Sequence, residues 1–484
     1  MSNKISVNKL NEVYLQCDCE SGIAMELSEF FTFYVPGYKF MPAFRNKLWD
    51  GKIRLFNRQN NTLYSGLLGY LQTFCIERDY ELEISKELST TENFSLVEAK
   101  DFTDTLGLPF EPREYQMKAF VHCVRHNRAL LLSPTASGKS LIIYLLTRWY
   151  NAKTLIIVPT ISLVAQLKKD FEDYGYDSDK YVHQIMSGAE KDTKRPITIS
   201  TWQSIYKLPK DWFMQYDVVI GDEAHLFKAK SLTTILSNLT DCQYRFGLTG
   251  TLDGTQTHKL ILEGLFGAVK QVTTTKELMD KNNLAELKIK ALILKHSEES
   301  CKANKNNKYQ DELNYIIGSP ARNKFIKNLT LSLKGNTLLL YQFVDKHGKI
   351  LYDMISRQCD DRPVFFIHGA VGVDDREEVR RITEEESNAI IVASYGTFST
   401  GINIRNLHNI IFASPSKSKI RTLQSIGRGL RLGSNKEKAT LFDIADDITY
   451  KSKKNFTLDH FIERMKIYND EKFEYKIYTI DLKE

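Results

Sequence analysis

The sequence predicts an α/β protein with two tandem, doubly wound parallel sheets, a small α+β domain before them and a short C-terminal extension. From about residue 108, short apolar runs alternate with helix-like segments, which is typical of parallel strands covered by helices on both faces. The alternation starts again after a lysine-rich polar stretch near residue 300. The expected domains are residues 1–105, 106–287, 288–446 and 447–484.

The first domain is predicted from alternating apolar and polar residues around turn-forming ones. Strands are expected at Lys52–Phe56 and Thr62–Tyr64, on either side of an asparagine-rich turn, followed by a helix over Leu67–Glu77. The acidic, polar residues from Ser89 to Asp104 predict a linker.

Ten apolar runs predict the strands of the two large sheets. The first series is Ala129–Leu132, Thr154–Val158, Ile197–Ser200, Asp217–Gly221 and Tyr244–Leu248. The second series is Thr337–Phe343, Val364–Ile367, Ala389–Ala393, Asn409–Ala413 and Thr440–Asp443. The polar residues Glu298–Asn314 predict an exposed insertion or loop, and the tail predicts a helix over Leu458–Tyr468 and a strand over Phe473–Ile480.

Composition indicates a globular chain without membrane spans. The 484 residues are 42% hydrophobic and 26% charged, and the formal net charge is +6. This balance is only mildly basic, so a nucleic-acid surface would have to be a local patch. The seven cysteines are scattered, and Cys17 and Cys19 are too close for common zinc spacing, which favours reduced thiols in a cytosol. No apolar run is long enough to span a membrane, and no signal peptide is expected.

A phosphate site is predicted after the first buried strand. Residues Ser133-Pro-Thr-Ala-Ser-Gly-Lys139-Ser140 separate that strand from an apolar helix, so backbone N–H groups and a helix N-terminus would face phosphate oxygens. Lys139 would reach the β- and γ-phosphates and Ser140 a Mg²⁺ ion. The expected nucleotide-binding residues of this loop are Pro134, Thr135, Ala136, Ser137, Gly138, Lys139 and Ser140.

Two carboxylates complete the predicted chemistry. Asp222 and Glu223 follow an apolar strand, at the carboxyl edge where open α/β sheets bind ligands. Asp222 would hold Mg²⁺, and Glu223 would orient and deprotonate the attacking water. The alternative, an acidic surface turn, is disfavoured by Lys139. Arg113 and Gln116 are candidates for adenine recognition, although a helix start with a surface glutamine is an equal alternative.

A second basic motif lies far along the chain. Arg428 and Arg431 would share one helix face and suit a γ-phosphate whose charge spreads in the transition state. A solvated basic helix is the alternative. Thr249 and Thr251 follow another strand and, with His225, are candidates for coupling hydrolysis to a bound strand, with a plain threonine-rich turn equally compatible.

The order of these motifs resembles the superfamily 2 helicases over roughly residues 108–446. Beyond this region, Trp49-Asp-Gly-Lys52 and the tail Asp470–Phe473 resemble the UvsW helicase family of tailed phages. The resemblance implies RecA-like sheet domains, a catalytic role for Gln424 and nucleotide binding by Gly401. The chain departs from the pattern at Ser133 and Ala136, and at Asn403, where many superfamily 2 members carry aspartate.

The resemblance also implies a set of DNA contacts made by short polar groups at sheet edges. These are Pro159, Thr160, Gln166, Thr201, Trp202, Tyr341, His368, Gly369, Ser394, Tyr395 and Thr397. In the first domain, Arg45, Lys47, Lys52 and Arg54 could hold duplex phosphates. Solvated cations around an aromatic core are the alternative there.

The implied function is ATP- and Mg²⁺-dependent remodelling of branched or forked DNA and of RNA–DNA hybrids, in recombination, repair and replication control. We expect a monomer in the cytoplasm of an infected bacterium, with recombination or single-strand-binding proteins as further partners. An RNA helicase and an ATP-gated clamp or annealing factor remain alternatives. A fused nuclease is disfavoured because the remaining segments show no carboxylate cluster for a metal.

Overall fold

The computed structural model describes residues 3–88, 91–186, 188–228, 230–252, 255–359, 361–401, 404, 406–416, 418–430 and 438–483. The chain divides into two compact units. Unit 1 comprises residues 1–133 and 138–272, and unit 2 comprises residues 273–484 with residues 134–137.

Unit 1 begins with a small α+β domain. Its elements are β1 (Lys4–Lys9), β2 (Tyr14–Asp18), α1 (Ser21–Phe30), β3 (Thr32–Tyr34), α2 (Pro42–Arg45), β4 (Lys52–Arg54), β5 (Phe56–Asn57), β6 (Thr62–Tyr64), α3 (Leu68–Glu77) and β7 (Glu81–Ile84). A mixed sheet has the order β5-β6-β2-β1-β7, and β3 pairs with β4 in a separate ribbon. The predicted strand Lys52–Phe56 is therefore interrupted, because β4 and β5 belong to different sheets.

The rest of unit 1 is a doubly wound domain. Its elements are α4 (Leu96–Thr105), α5 (Glu114–His126), β8 (Arg128–Leu132), α6 (Lys139–Tyr150), β9 (Thr154–Val158), α7 (Ile161–Asp173), α8 (Ser178–Tyr181), β10 (Val182–Ile185), β11 (Ile197–Thr201), α9 (Trp202–Ile205), α10 (Lys210–Phe213), β12 (Val218–Asp222), α11 (Lys230–Asn238), β13 (Tyr244–Thr249), α12 (Gln256–Phe266) and β14 (Val269–Gln271). The seven strands are parallel in the order β10-β11-β9-β12-β13-β8-β14. The loops after β8, β9, β11, β12 and β13 therefore meet at one edge.

Unit 2 repeats this architecture. Its elements are α13 (Thr275–Asp280), β15 (Glu286–Lys295), α14 (Glu298–Asn304), α15 (Tyr309–Gly318), α16 (Pro320–Ser332), β16 (Thr337–Tyr341), α17 (Lys349–Ser356), β17 (Val364–Ile367), α18 (Val373–Glu385), β18 (Ile390–Ser394), α19 (Tyr395–Gly401), β19 (Asn409–Phe412), α20 (Lys419–Gly429), β20 (Lys438–Asp447), α21 (Phe456–Asp470) and β21 (Tyr475–Asp481). Its seven parallel strands have the order β17-β18-β16-β19-β20-β15-β21.

The predicted fold class is confirmed, with two parallel seven-stranded sheets and a mixed-sheet domain before them. All ten predicted sheet strands are present to within a few residues of their expected ends. Their apolar character follows from burial on both faces: every residue of β9, β11 and β16 is buried.

Two expectations about polar segments are wrong. Part of the predicted linker is helix α4, whose start is fixed by a capping box between Ser95 and Glu98. The stretch expected as a loop over Glu298–Asn314 contains α14 and most of α15. The expected boundary at residue 287 falls within β15, and β21 of the C-terminal extension pairs with β15.

Candidate active site

The loop between β8 and α6 has the backbone of an anion-binding concavity. Ala136 and Gly138 both lie in the left-handed region, with φ of 67° and 77°. A Cβ at position 138 would lie 2.4 Å from Gln116 Nε2, so glycine is required there on two grounds. Ala136 adopts the same backbone region without being glycine, at the position where the motif departs from its usual form. Such conformations gather backbone N–H groups toward a negative ligand.

Lys139 begins α6 directly after this concavity. Its Nζ donates a 3.4 Å hydrogen bond to the carbonyl oxygen of Ser133, so the ammonium lies back over the loop. The N-terminus of a twelve-residue helix and a lysine therefore present positive charge together. This arrangement suits the phosphates of a nucleotide.

Asp222 and Glu223 stand at the carboxyl end of β12. The Glu223 amide donates to Asp222 Oδ1 at 2.9 Å, and Glu223 has a φ of 51°. Burial and the neighbouring Glu223 carboxylate raise the pKa of Asp222 to about 6, although Lys139 acts in the opposite direction. A half-buried acid pair beside one lysine is a site where an added cation would be stabilised.

The hydroxyl of Ser140 is the second candidate ligand for that cation. In this structure Ser140 Oγ is 2.8 Å from the hydroxyl of Tyr174, whose pKa burial raises to about 12. A hydroxyl and a carboxylate are oxygen ligands of the kind Mg²⁺ prefers. Ser140 and Asp222 therefore fit a nucleotide-bound Mg²⁺ ion.

The three predicted coupling residues lie together. His225 Nδ1 is 3.1 Å from Thr249 Oγ1, which donates to the carbonyl oxygen of Thr251 at 2.9 Å. The same His225 nitrogen lies 3.4 Å from a Glu223 carboxylate oxygen. A continuous polar path therefore leads from Glu223 to the end of β13.

The sequence did not suggest His258, which holds the other side of this motif. It is buried on α12, and its Nε2 lies 2.8 Å from the carbonyl oxygen of His225. No motif marks a lone histidine on an apolar helix, so only the fold reveals this contact.

Arg113 and Gln116, the two candidates for adenine recognition, both form hydrogen bonds with neighbouring protein groups. Gln116 is buried, its Oε1 accepts from the Arg113 amide at 2.8 Å and its Nε2 donates to the Gly138 carbonyl at 3.4 Å. Arg113 donates to the hydroxyl of Tyr115 at 3.0 Å. Gln116 thus joins the start of α5 to the phosphate loop, and adenine recognition by either residue stays a prediction.

In unit 2, Gln424 and Arg428 lie four residues apart on α20, which places them on one helix face. The Arg428 guanidinium lies 6.0 Å from the ring centre of Phe398 on α19. Arg431 lies outside the described residues, as does Asn403, and Gly401 is the last residue of α19.

Several predicted DNA contacts of unit 1 line one groove of about 580 Å³. Pro159, Thr160 and Thr201 contribute to it from the adjacent strands β9 and β11. Lys191 lines the same groove and was missed, because it lies in an irregular segment without a motif. Gln166 is exposed on α7 and Trp202 begins α9, and neither lines the groove among the described residues.

Two predicted DNA contacts of unit 2 are wrong for their side chains. Tyr341 is fully buried and donates from its hydroxyl to the Ile367 carbonyl at 3.1 Å. Tyr395 is buried as well, with its hydroxyl donating to the Ser414 carbonyl at 3.2 Å. Both rings belong to the core of unit 2 and cannot face a ligand in this arrangement.

The remaining unit 2 candidates lie at the carboxyl edge of the second sheet. Ser394 Oγ and Thr397 Oγ1 are 2.7 Å apart at the start of α19, and Thr397 is buried. His368 is half-buried and Gly369 exposed after β17. Contact of these groups with DNA stays a prediction.

In the amino-terminal domain, Arg45, Lys47 and Arg54 are exposed and Lys52 is half-buried. Arg54 forms an ion pair with Asp50, and the Lys52 ammonium lies 5.0 Å from the ring centre of Tyr34. Arg45 and Lys47 are therefore the more accessible cations of the four.

Within the part of the chain that the structure describes, no helix is long and apolar enough to cross a membrane. The same residues hold no group of three or more histidine, cysteine, aspartate or glutamate side chains arranged to bind a metal ion.

Comparison with protein families assigns three consecutive parts of the chain. Residues 4–85 match the family described as "DNA helicase UvsW, N-terminal", and residues 109–254 match "Type III restriction enzyme, res subunit". Residues 321–433 match "Helicase conserved C-terminal domain". These matches coincide with the mixed-sheet domain and with parts of the two parallel-sheet domains.

Whole-chain comparisons agree with this division. The ATP-dependent DNA helicase uvsW of Enterobacteria phage T4 is 37% identical over 97% of this chain and 98% of its own length. A DNA 3'-5' translocase XPB2 of Sulfurisphaera tokodaii is 24% identical over 73% of this chain and 85% of its own. The crystal structure of T4 UvsW superposes with a TM-score of 0.53 at 34% identity, covering 99% of this chain and all of that one.

The paired parallel sheets, the phosphate loop and the carboxylate pair define the class of ATP-dependent helicases. Within that class, the chain belongs to the UvsW family of DNA helicases.

Proposed function

We propose that this helicase remodels branched DNA by regressing forks, migrating four-way junctions and unwinding RNA–DNA hybrids. The observation that supports this most is a separate amino-terminal domain fixed to the motor. Tyr70 donates from its hydroxyl to Glu263 of α12 at 2.7 Å, and Arg128 of β8 donates to the Glu12 carbonyl at 2.9 Å. A motor with a second, rigidly attached module suits a substrate with more than one duplex arm.

The phosphate loop and the carboxylate pair support a proposal for ATP hydrolysis. The concavity before α6 and Lys139 would bind the phosphates, and Ser140 and Asp222 would hold Mg²⁺, which would neutralise phosphate charge. Glu223 orients the attacking water and accepts its proton. Gln424, Arg428 and Arg431 stabilise the transferring phosphate, and Arg113, Gln116 and Gly401 contribute to nucleotide binding.

Coupling to DNA uses the polar path beside the carboxylate pair. A change at Glu223 reaches His225 over 3.4 Å and then Thr249 and Thr251 at the end of β13. The groove lined by Pro159, Thr160 and Thr201 grips backbone phosphates, so binding is salt-dependent and largely independent of sequence. Gln166, Trp202, His368, Gly369, Ser394 and Thr397 are further contacts in this proposal.

The biological setting proposed is recombination, repair and replication control of a phage in its bacterial host. We propose that the enzyme acts as a monomer in the host cytoplasm, beside other recombination or single-strand-binding proteins.

The deciding experiment compares ATPase and unwinding rates on forks, four-way junctions, RNA–DNA hybrids, single strands and RNA under one set of conditions. We expect strong stimulation by forks and junctions, and Lys139→Ala as the control should remove turnover. Stimulation by RNA alone would identify an RNA helicase instead. ATP-dependent binding without strand displacement would identify a clamp or annealing factor.

A further inference from the structure

Residues 34–54 of the amino-terminal domain form a small folded projection, named here the aromatic–basic lobe. The pairing of β3 with β4 closes its base, with Tyr34 opposite Lys52. Inside it, the Tyr38 ring stacks on Tyr34 at 4.7 Å and meets the Phe44 ring edge-on at 4.8 Å. A Cβ on Gly51 would lie 2.3 Å from the Tyr38 ring, so the turn into β4 is packed tightly against it.

Two large apolar side chains of the lobe stay outside this packing. Phe40 is 77% exposed and Leu48 is 80% exposed. Their backbones are nevertheless fixed, because the Phe40 amide donates to the Gly37 carbonyl and the Leu48 amide to the Ala43 carbonyl, each at 2.9 Å. Large apolar groups presented on ordered backbone are typical of a binding surface.

Charge identifies the kind of partner. The lobe carries five cations and one anion, and that anion, Asp50, is paired with Arg54. A partner therefore has to be negatively charged and also present flat apolar faces. Nucleic acid combines both, because its phosphates are anionic and every base has a face on which an aromatic ring can stack. The cations of the lobe are Lys39, Arg45, Lys47, Lys52 and Arg54.

The base of the lobe is attached to the helix that contacts the catalytic motif. Thr257 Oγ1 donates to the Tyr34 carbonyl at 3.4 Å, and the next residue, His258, lies 2.8 Å from the His225 carbonyl. The lobe is thus held at a fixed place on the motor of unit 1 by α12.

We propose that Phe40 and Leu48 contact base faces exposed at the branch point of DNA, where pairing or stacking is interrupted, while Arg45 and Lys47 hold the adjoining phosphates. This inference rests on the proposed branched substrate and assigns the part of the molecule that recognises the branch.

The test is equilibrium binding without ATP to forked DNA carrying 2-aminopurine at the branch, with a linear duplex of the same sequence for comparison. We expect wild-type protein to change the fluorescence of the fork. Phe40→Ala/Leu48→Ala should bind the fork about tenfold more weakly, since base–aromatic stacking carries affinity of this order. Linear duplex binding should stay within about twofold.

Two controls separate stacking from general effects. Phe40→Trp should restore fork binding because it keeps an aromatic face, and Ile76→Ala should change nothing, since Ile76 is 78% exposed on α3 outside the lobe. Thermal unfolding should be the same for all variants.

Unchanged fluorescence with wild-type protein, or unchanged fork affinity in the double variant, would overturn the inference and leave the exposed pair to a protein partner. Failure of the proposed function has a different signature, because ATP-driven remodelling of forks and junctions would then be absent while this ATP-free binding could still be measured.

Discussion

The position of Glu223 depends on a left-handed backbone φ angle that residues other than glycine rarely adopt. Its φ of 51° and the bond from its amide to Asp222 turn the carboxylate away from the strand axis, toward His225. Strain of this kind persists where the surrounding structure holds it, and it often accompanies function.

Replacing Glu223 by glutamine should remove hydrolysis and spare nucleotide binding. The amide keeps the size of the side chain but cannot accept a proton from water, so kcat should fall by at least about 100-fold. ATP affinity, measured with a fluorescent analogue, should change by less than about threefold. Glu172→Gln is the matched control, because Glu172 is 45% exposed on α7, and it should turn over normally. Normal turnover by Glu223→Gln would remove this residue from its proposed role as base.

The ATPase should need a higher Mg²⁺ concentration at acidic pH. The raised pKa of Asp222, about 6, means that the carboxylate is protonated as pH falls through this value, and a protonated acid is a poor ligand. Below pH 6 the Mg²⁺ concentration for half-maximal ATPase should therefore rise by up to about tenfold per pH unit, and excess Mg²⁺ should restore the rate. The same Mg²⁺ titration at pH 7.5 and pH 5.5 checks this, and identical curves would contradict it.

The sequence predicted which residues lie at the catalytic motifs better than it predicted where individual side chains point. The positions of Lys139, Asp222 and Glu223 were evident because strand, loop and helix constrain them together. Tyr341 and Tyr395 were assigned to DNA only through their motifs, and the motif does not record that each hydroxyl has a carbonyl partner in the core.

At the scale of elements, α21 is held by buried charged residues that the local sequence pattern does not predict. Arg464 is buried, donates to both oxygens of Asp443 on β20 and donates to the Ser416 carbonyl at 2.6 Å. Tyr468 donates to the same aspartate at 2.8 Å. The segment leading to α20 is thereby held, so α21 supports the helix that carries Gln424 and Arg428.

The polar stretch Glu298–Asn314 shows why polar residues misled the sequence interpretation. Glu312 is buried, and its carboxylate accepts from the amides of Phe456 and Thr457 at 2.9 and 2.7 Å. Glu312 therefore caps the N-terminus of α21 from a distant part of the chain. A carboxylate is favourable there because it accepts from free backbone N–H groups and faces the positive end of the helix dipole. Such a contact cannot be found from the local sequence because its partners are about 144 residues away.

Breaking the Arg464–Asp443 pair should cost much more stability than breaking an exposed pair. Arg464→Met leaves the buried Asp443 carboxylate without its guanidinium partner, so the free energy of unfolding should fall by about 3–5 kcal/mol. Arg381→Met removes the pair with Glu385, whose side chains are 61% and 66% exposed, and should cost less than about 1 kcal/mol. Urea unfolding of both variants measures the difference, and equal costs would show that the buried network does not hold α21.

At the scale of the whole molecule, both large sheets were predicted because parallel strands buried on both faces consist of continuous apolar residues. The strand β15 was not predicted, because it alternates between exposed and buried positions and so does not resemble a strand buried on both faces. The mostly exposed β21 was predicted from the tail, over Phe473–Ile480. The boundary expected at residue 287 falls within β15.

Removing residues 471–484 should therefore weaken unit 2 by exposing a strand edge. β21 pairs with β15 over seven residues, from Ile289 with Tyr475 to Lys295 with Asp481. Because its side chains are mostly exposed, β21 contributes chiefly backbone pairing, and its loss leaves the N–H and C=O groups of β15 as a template for other chains. We expect a lower thermal midpoint and concentration-dependent self-association in light scattering. Removing only Lys483 and Glu484 is the control and should change neither. A monodisperse truncated chain with an unaltered midpoint would show that β15 needs no cover.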